Sequence, residues 1–207
     1  MIRRILVFVT VLALGITGFA VEPVKSAEPD TPTKIISSMV DEVFAVLNKG
    51  CAQGRSVRSY REELYQVALK YVDLDEVAPR VVGPVWRDQT KEAQEEFKKL
   101  FREVVFSSYA DRLERYACAQ KKVIYENDEI QGSIARVRSR VQSPDQGEAQ
   151  IEYRLKKKPT GWKIYDVVVE GVSMVQNYRS QFADILRRQS FAQMLDMLRN
   201  KVETGKN

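Results

Sequence analysis

The sequence predicts a single α+β domain. Apolar residues recur at helical spacing from about residue 33 to 116, the period drops to two between 123 and 170, and helical spacing returns after Gly171. Helices grouped before and after a run of strands, with no alternation between them, point to α+β rather than α/β. The chain is 207 residues long, 44% hydrophobic and 29% charged, which fits a folded protein rather than a disordered one.

Residues 1–27 read as a signal peptide and cleavage region. Arg3 and Arg4 precede an apolar run from Ile5 to Ile16, and small residues follow. The run is shorter than the roughly 20 residues of a membrane span, which favours cleavage, near Ala20 or Ser26, over anchoring. Pro29 and Pro32 mark 28–33 as a linker, 34–202 is the domain, and 203–207 reads as a flexible tail.

Within the domain, Thr31 or Thr33 caps a first helix bearing Ile35, Ile36, Met39, Val40, Val43, Phe44 and Leu47, ended by Asn48-Lys49-Gly50. A second helix spans about Val57–Tyr71, with Leu64, Val67, Ala68 and Tyr71 on one side. Asp73 and Asp75 open a turn, and Gly83-Pro84 breaks the chain before Trp86. Thr90 caps the longest helix, 90–116, whose stripe is Phe97, Leu100, Phe101, Val104, Val105, Tyr109, Leu113 and Tyr116. Four strands follow, near 123–125, 133–141, 149–155 and 162–170, joined by short turns that imply antiparallel hairpins. Arg136, Arg138, Arg140, Glu152 and Arg154 fall on a wet face; the other face needs the helices as cover. Ser173 caps a helix with Val175, Tyr178, Phe182, Ile185 and Leu186, and a last segment carries Phe191, Met194, Leu195 and Leu198.

Chemistry is narrowed by what is missing. With no histidine there is no Ser-His-Asp or Cys-His nucleophile system, no histidine proton shuttle and no histidine-bound zinc. The charge of +5, which falls to +3 without residues 1–20, and the lack of a basic block interleaved with aromatics argue against nucleic acid as a partner. Lys156-Lys157-Lys158 reads as a solvated hairpin end, with an acidic partner as the alternative. Cys51 and Cys118 form a candidate disulfide in an exported chain; two separate buried thiols are the alternative. Asp166 and Glu170 are the best acid–base pair, yet four strand residues put them about 13 Å apart, too far for a carboxylate dyad, so a structural role for Asp166 is favoured. No calcium loop is complete and no cofactor motif occurs, and the chain is expected to be non-enzymatic and monomeric.

The run from Trp162 to Val175, WKIYDVVVEGVSMV, together with Asn177–Phe182, Val82–Arg87 and the stretch from Gln94 through Tyr109, resembles the MlaC family, the periplasmic toluene-tolerance or phospholipid-shuttle proteins of Gram-negative bacteria. The resemblance runs from about Pro32 to Leu198; the cysteine pair is not assigned to the family pattern and leaves open a branch such as the hopanoid-cluster relatives. It implies a four-stranded antiparallel twisted sheet packed by helices around an apolar lipid cavity. It further implies a periplasmic phospholipid carrier without cofactor or metal. Its partners would be an inner-membrane ABC transporter with MCE-type domains and an outer-membrane lipoprotein complex. On that reading the lipid-binding residues are Val137, Val141, Ile151, Tyr153, Val167 and Val169 from the sheet and Phe101, Val105, Tyr109, Met174 and Tyr178 from the helices. Two other classes remain: an exported adaptor with no ligand inside, and a histidine-free hydrolase using Asp166 or Glu170.

Overall fold

A computed structural model describes residues 31–204 except Gln146. The expected signal-peptide segment 1–27, residues 28–30 of the expected linker, residues 205–207 of the expected tail and the Tyr116 side chain lie outside the described residues. The elements run in the order α1 (Pro32–Ala52), a 3₁₀ turn (Val57–Tyr60), α2 (Arg61–Tyr71), α3 (Leu74–Val82), a second 3₁₀ turn (Pro84–Asp88), α4 (Lys91–Ala117), β1 (Lys122–Tyr125), β2 (Glu129–Gln131), β3 (Ile134–Ser143), β4 (Gly147–Lys158), β5 (Gly161–Val169), β6 (Val172–Ser173), α5 (Met174–Leu186) and α6 (Phe191–Thr204).

Capping chemistry sets the helix starts. The hydroxyls of Thr31, Thr90 and Ser173 each accept from a backbone N–H three residues on, at the heads of α1, α4 and α5, and Asp73 does the same for α3. The end of α1 differs from the sequence expectation. Gly50 does not stop the helix but continues it to Ala52, because its bare Cα lets the Tyr60 ring lie against it; a Cβ there would sit 2.2 Å from Tyr60 Cε1. At the other end, α6 carries on through Glu203 and Thr204, and α1 begins at Pro32, so the helical domain overruns the expected linker and tail by two residues each.

The sheet has six strands rather than the expected four. All pairs are antiparallel, in the order β1-β3-β4-β5-β6, with β2 beside β1 along the outer edge of β3. The two unforeseen strands have three and two residues, too short to show a period of two. β6 follows β5 through a two-residue hairpin in which Glu170 and Gly171 both have positive φ, 50° and 78°, the geometry that matches the twist of paired strands.

Face assignments hold across the long strands. Ala135, Val137, Tyr153, Leu155, Trp162 and Ile164 are buried and pack with Ile36 and Val40 of α1. On the wet face Glu152 sits among three arginines, with Arg136 and Arg138 Nε each at 3.3 Å and Arg154 Nε at 2.9 Å. Opposite charges thus pair across strands, as their alternation requires. β5 is the exception: Asp166 and Val168, on the outward-reading side, are buried as well, and α3 and α5 pack against this strand.

The three-lysine run is not a bare solvated end. Lys156 and Lys158 reach across to α3, with Nζ atoms 2.8 and 2.7 Å from the Glu76 carboxylate; Lys158 also pairs with Asp73 at 2.9 Å. Arg80 adds a third donor to Glu76 at 2.5 Å. Burial alone would raise the Glu76 pKa, but hydrogen bonds from Lys156, Lys158 and Arg80 outweigh it and hold the carboxyl at about 2.

A disulfide joins Cys51 to Cys118, Cα atoms 5.4 Å apart, and ties the end of α1 to the end of α4 across 67 residues. Serine at both positions should lower unfolding free energy by about 4 kcal/mol in the chain-entropy account; equal urea midpoints for oxidised wild type and the double variant would contradict it. Glu76, with its folded pKa below its ordinary value of 4.5, contributes stability that is whole above pH 4.5 and lost as pH falls toward 2. Urea unfolding across that window should show a shallower pH dependence for Glu76→Gln than for wild type.

Candidate functional site: an apolar cleft beside the fifth strand

Three hydrophobic clusters build the interior. One joins α3, α5, α6 and the first half of α4 around a ring group of Trp86, Phe97, Phe101, Tyr178, Phe182 and Phe191. A second lies between α1 and the inner sheet face. A third packs the second half of α4 with α2 and the end of α1, through Leu47, Leu64, Tyr65, Phe106 and Ala110. Where they meet, they do not fill the space.

The unfilled region is a cleft of about 360 Å³, at the lower end of ligand pockets of about 300–1,000 Å³. One wall is α4, which offers Phe101, Val105, Tyr109 and Leu113 at a spacing of four, so successive turns expose one continuous apolar ridge. The facing wall is α2, with Leu64, Ala68 and Leu69, and Val72 just after its end. β5 closes one side with Ile164, Tyr165 and Val167, and Met174 and Val175 of α5 reach the edge. Of twenty lining residues two carry charge, Arg102 and Asp166, so the surface is suited to hydrocarbon rather than to polar substrate.

Asp166 is not a free acid or base. Asp166 is 5% exposed. One carboxylate oxygen accepts from Ser173 Oγ at 2.6 Å and Arg154 Nη1 at 3.1 Å; the other accepts from the Val175 backbone N–H at 3.0 Å. The group joins β4, β5 and the head of α5. Glu170 is not its partner: it sits in the β5–β6 turn and accepts from the Gln150 backbone N–H. Tyr65 donates its hydroxyl to Glu103 Oε2 at 2.7 Å; burial first, and then the Glu103 carboxylate, push its pKa well above the ordinary phenol value and keep it a donor.

Of the residues expected to line a cavity, the structure brings Phe101, Val105, Tyr109, Val167 and Met174 to the cleft. Val137, Val141, Ile151 and Tyr153 lie on the inner sheet face away from it; Val137 and Tyr153 are packed core, and burial pushes the Tyr153 hydroxyl up to about 12. Val169 and Tyr178 border a separate hollow of about 380 Å³ near Arg112. Tyr178 belongs to the ring group and donates to Ser108 Oγ at 3.2 Å. The facing wall on α2, and Tyr165, are lining that the sequence reading did not assign; the stripe on α2 was visible, but not that it stands off from α4.

Fold and cleft together define the class: an α+β protein in which two helices hold an apolar groove open beside an antiparallel sheet. Comparison with known proteins makes this specific. The chain belongs to the MlaC family, the family model described as MlaC protein matching residues 37–200. It is 25% identical over 185 residues to the intermembrane phospholipid transport system binding protein MlaC of Haemophilus influenzae, covering 87% of this chain and 86% of that protein. It is 22% identical over 168 residues to the toluene tolerance protein ttg2D of Pseudomonas putida, covering 80% and 78%. Among solved structures, a phospholipid-binding protein from Ralstonia solanacearum in complex with a phospholipid matches with a TM-score of 0.75 at 22% identity, over 84% of this chain and 97% of that one. At that identity the likeness establishes the fold.

Asp166→Asn removes the charge that Arg154 pairs with while keeping the side-chain shape, and should cost about 2 kcal/mol of stability. Urea unfolding measures it. An unchanged midpoint would mean that Asp166 has no structural duty and would return it to the list of acid–base candidates.

Proposed function

We propose that this protein is a periplasmic phospholipid carrier. It shields acyl chains in the cleft between α2, α4 and β5 and moves them between the outer and inner membranes. In this reading it is the soluble component of an ABC-type lipid transport system, and docks in turn on an outer-membrane lipoprotein complex and an inner-membrane transporter bearing MCE-type domains. The single observation that carries the reading is the ridge Phe101–Val105–Tyr109–Leu113 facing α2 across open space, in a chain of the MlaC family.

The physical need is plain. A phospholipid carries about 30 chain methylenes, each costing about 0.8 kcal/mol in water, on the order of 20 kcal/mol in all. It crosses an aqueous space when that surface is covered. Phe101, Val105, Tyr109, Val167 and Met174 would contact the chains, while Val137, Val141, Ile151, Tyr153, Val169 and Tyr178 support the walls. The names of the Haemophilus influenzae and Ralstonia solanacearum relatives, a phospholipid transport binding protein and a phospholipid-binding protein, agree with this cargo. No catalytic step enters the reading: Asp166 is held by three donors.

The test is native mass spectrometry of protein purified from a bacterial periplasm without detergent, with lipid analysis of the same sample. A bound glycerophospholipid is expected for wild type. Ala68→Trp places an indole in the cleft and should abolish most of the bound mass, with the thermal midpoint kept or raised because the side chain fills open space rather than a packed core. A wild-type apo mass that persists after incubation with phospholipid vesicles would overturn the reading and put the ligand-free adaptor first.

A further inference from the structure

We infer that Arg102, with Lys99, forms a phosphate subsite at the mouth of the cleft, one that reads the phosphodiester of a lipid and ignores the alcohol attached to it. The inference rests on the carrier reading and adds to it the group that is recognised.

On its Arg102 side the apolar cleft adjoins polar surface. It runs into a second hollow, of about 560 Å³, and the two share Leu69, Val72, Leu74 and Arg102 as a common rim. The character changes at that rim. The outer hollow is bordered by five cationic side chains against three carboxylates, so its field is positive.

Most of these charges are committed. Lys98 pairs with Asp75 and Glu95, both at 2.6 Å. Lys158 is held by Asp73 and Glu76, and Lys163 donates to the Lys70 carbonyl. Two cations are less committed, Lys99 and Arg102, the latter only in a long ion pair with Glu103 at 3.6 Å; they stand three residues apart on α4 and therefore on one face. Among the described residues, neither makes a hydrogen bond.

Arg102 is the more telling of the two. Its guanidinium carbon lies 4.5 Å over the Tyr65 ring, which fixes the plane of the fork. Its Nε is buried without a partner. The nearest carboxylate, Glu103, stands 3.6 Å from Nη2, beyond hydrogen-bond reach, and its other oxygen already accepts from Tyr65. The protein itself closes off Nε, so the part of the side chain left to meet a ligand is the Nη edge of the fork, whose planar donors match the oxygens of a phosphate. One turn further into the cleft come Val105 and then Tyr109, the ridge along which chains would lie. A phosphodiester joined to acyl chains thus meets donors and hydrocarbon in the right order.

Displacement of a fluorescent acyl probe would measure affinity for phosphatidylglycerol and for diacylglycerol of the same chains, both presented in vesicles. Wild type should prefer the phosphatidylglycerol by about tenfold, the value of a charge-assisted contact. Arg102→Gln should bring that ratio near one, Arg102→Lys should restore part of it, and Arg188→Gln, an exposed charge loss elsewhere, should leave it unchanged. If Arg102→Gln does not fold, Lys99→Gln, at an exposed position, should still cut the ratio severalfold. A ratio kept in Arg102→Gln or, should that variant not fold, in Lys99→Gln overturns the subsite, as does a wild type that binds both lipids equally. Binding of neither lipid by wild type overturns the carrier reading itself. Inorganic phosphate that competes with phosphatidylglycerol supports a subsite open to free phosphate; a ratio that collapses without such competition supports one made for the lipid head group.

Discussion

The Asp166 carboxylate is the constraint on which the rest of this architecture depends. A charge buried to that degree survives only if its oxygens are fully used. Here the users are a guanidinium from β4, the capping hydroxyl of Ser173 and the Val175 N–H in the first turn of α5. One side chain therefore fixes where the sheet ends and where α5 begins. It also explains why β5 is buried on both faces while its neighbours keep a wet one: the helix that Asp166 anchors is pressed against the outer side of that strand. Met174 and Val175 are brought to the cleft edge as a result.

The second organising element is α4. At 27 residues it spans about 40 Å, long enough to serve two hydrophobic clusters in turn. Its first half carries Phe97, Phe101 and Val104 into the ring group with α5 and α6; its second half carries Phe106 and Ala110 toward α1 and α2. Between the two clusters, Val105 and Tyr109 of the ridge line open space, while Phe101 at its start packs on Tyr178 and Phe182 of α5. The cleft is the gap between clusters that one rigid helix bridges but does not close. A groove of this origin needs no special backbone, and its walls are ordinary helix faces.

How much of this was legible in the sequence follows from the range of the information. Caps, helix stripes and long strands are local, and Thr31, Thr90, Ser173 and the alternation of β3 and β4 could be read directly. Gly50 misled because its reason for being glycine is Tyr60, which a local rule cannot see. β2 and β6 were missed because two or three residues carry no period. In the site, Phe101, Val105 and Tyr109 were found because a helix stripe names its own members. Val137 and Tyr153 face the interior as read, but an inward position does not say whether the space beyond it is filled; α1 fills it. The Arg102 fork was invisible because its meaning comes from Tyr65 and from the rim it shares with α2.

The disulfide has a mechanical consequence. Cys51 and Cys118 close a covalent ring that contains both helical walls of the cleft, α2 and α4, while the β5 floor lies outside it. The pin lies toward the Val43 and Leu113 end, where it ties α4 to α1. The opposite end, where Leu69, Leu74 and Arg102 form the rim, carries no such covalent tie among the described residues. The cleft is thus built like a purse sewn at one corner.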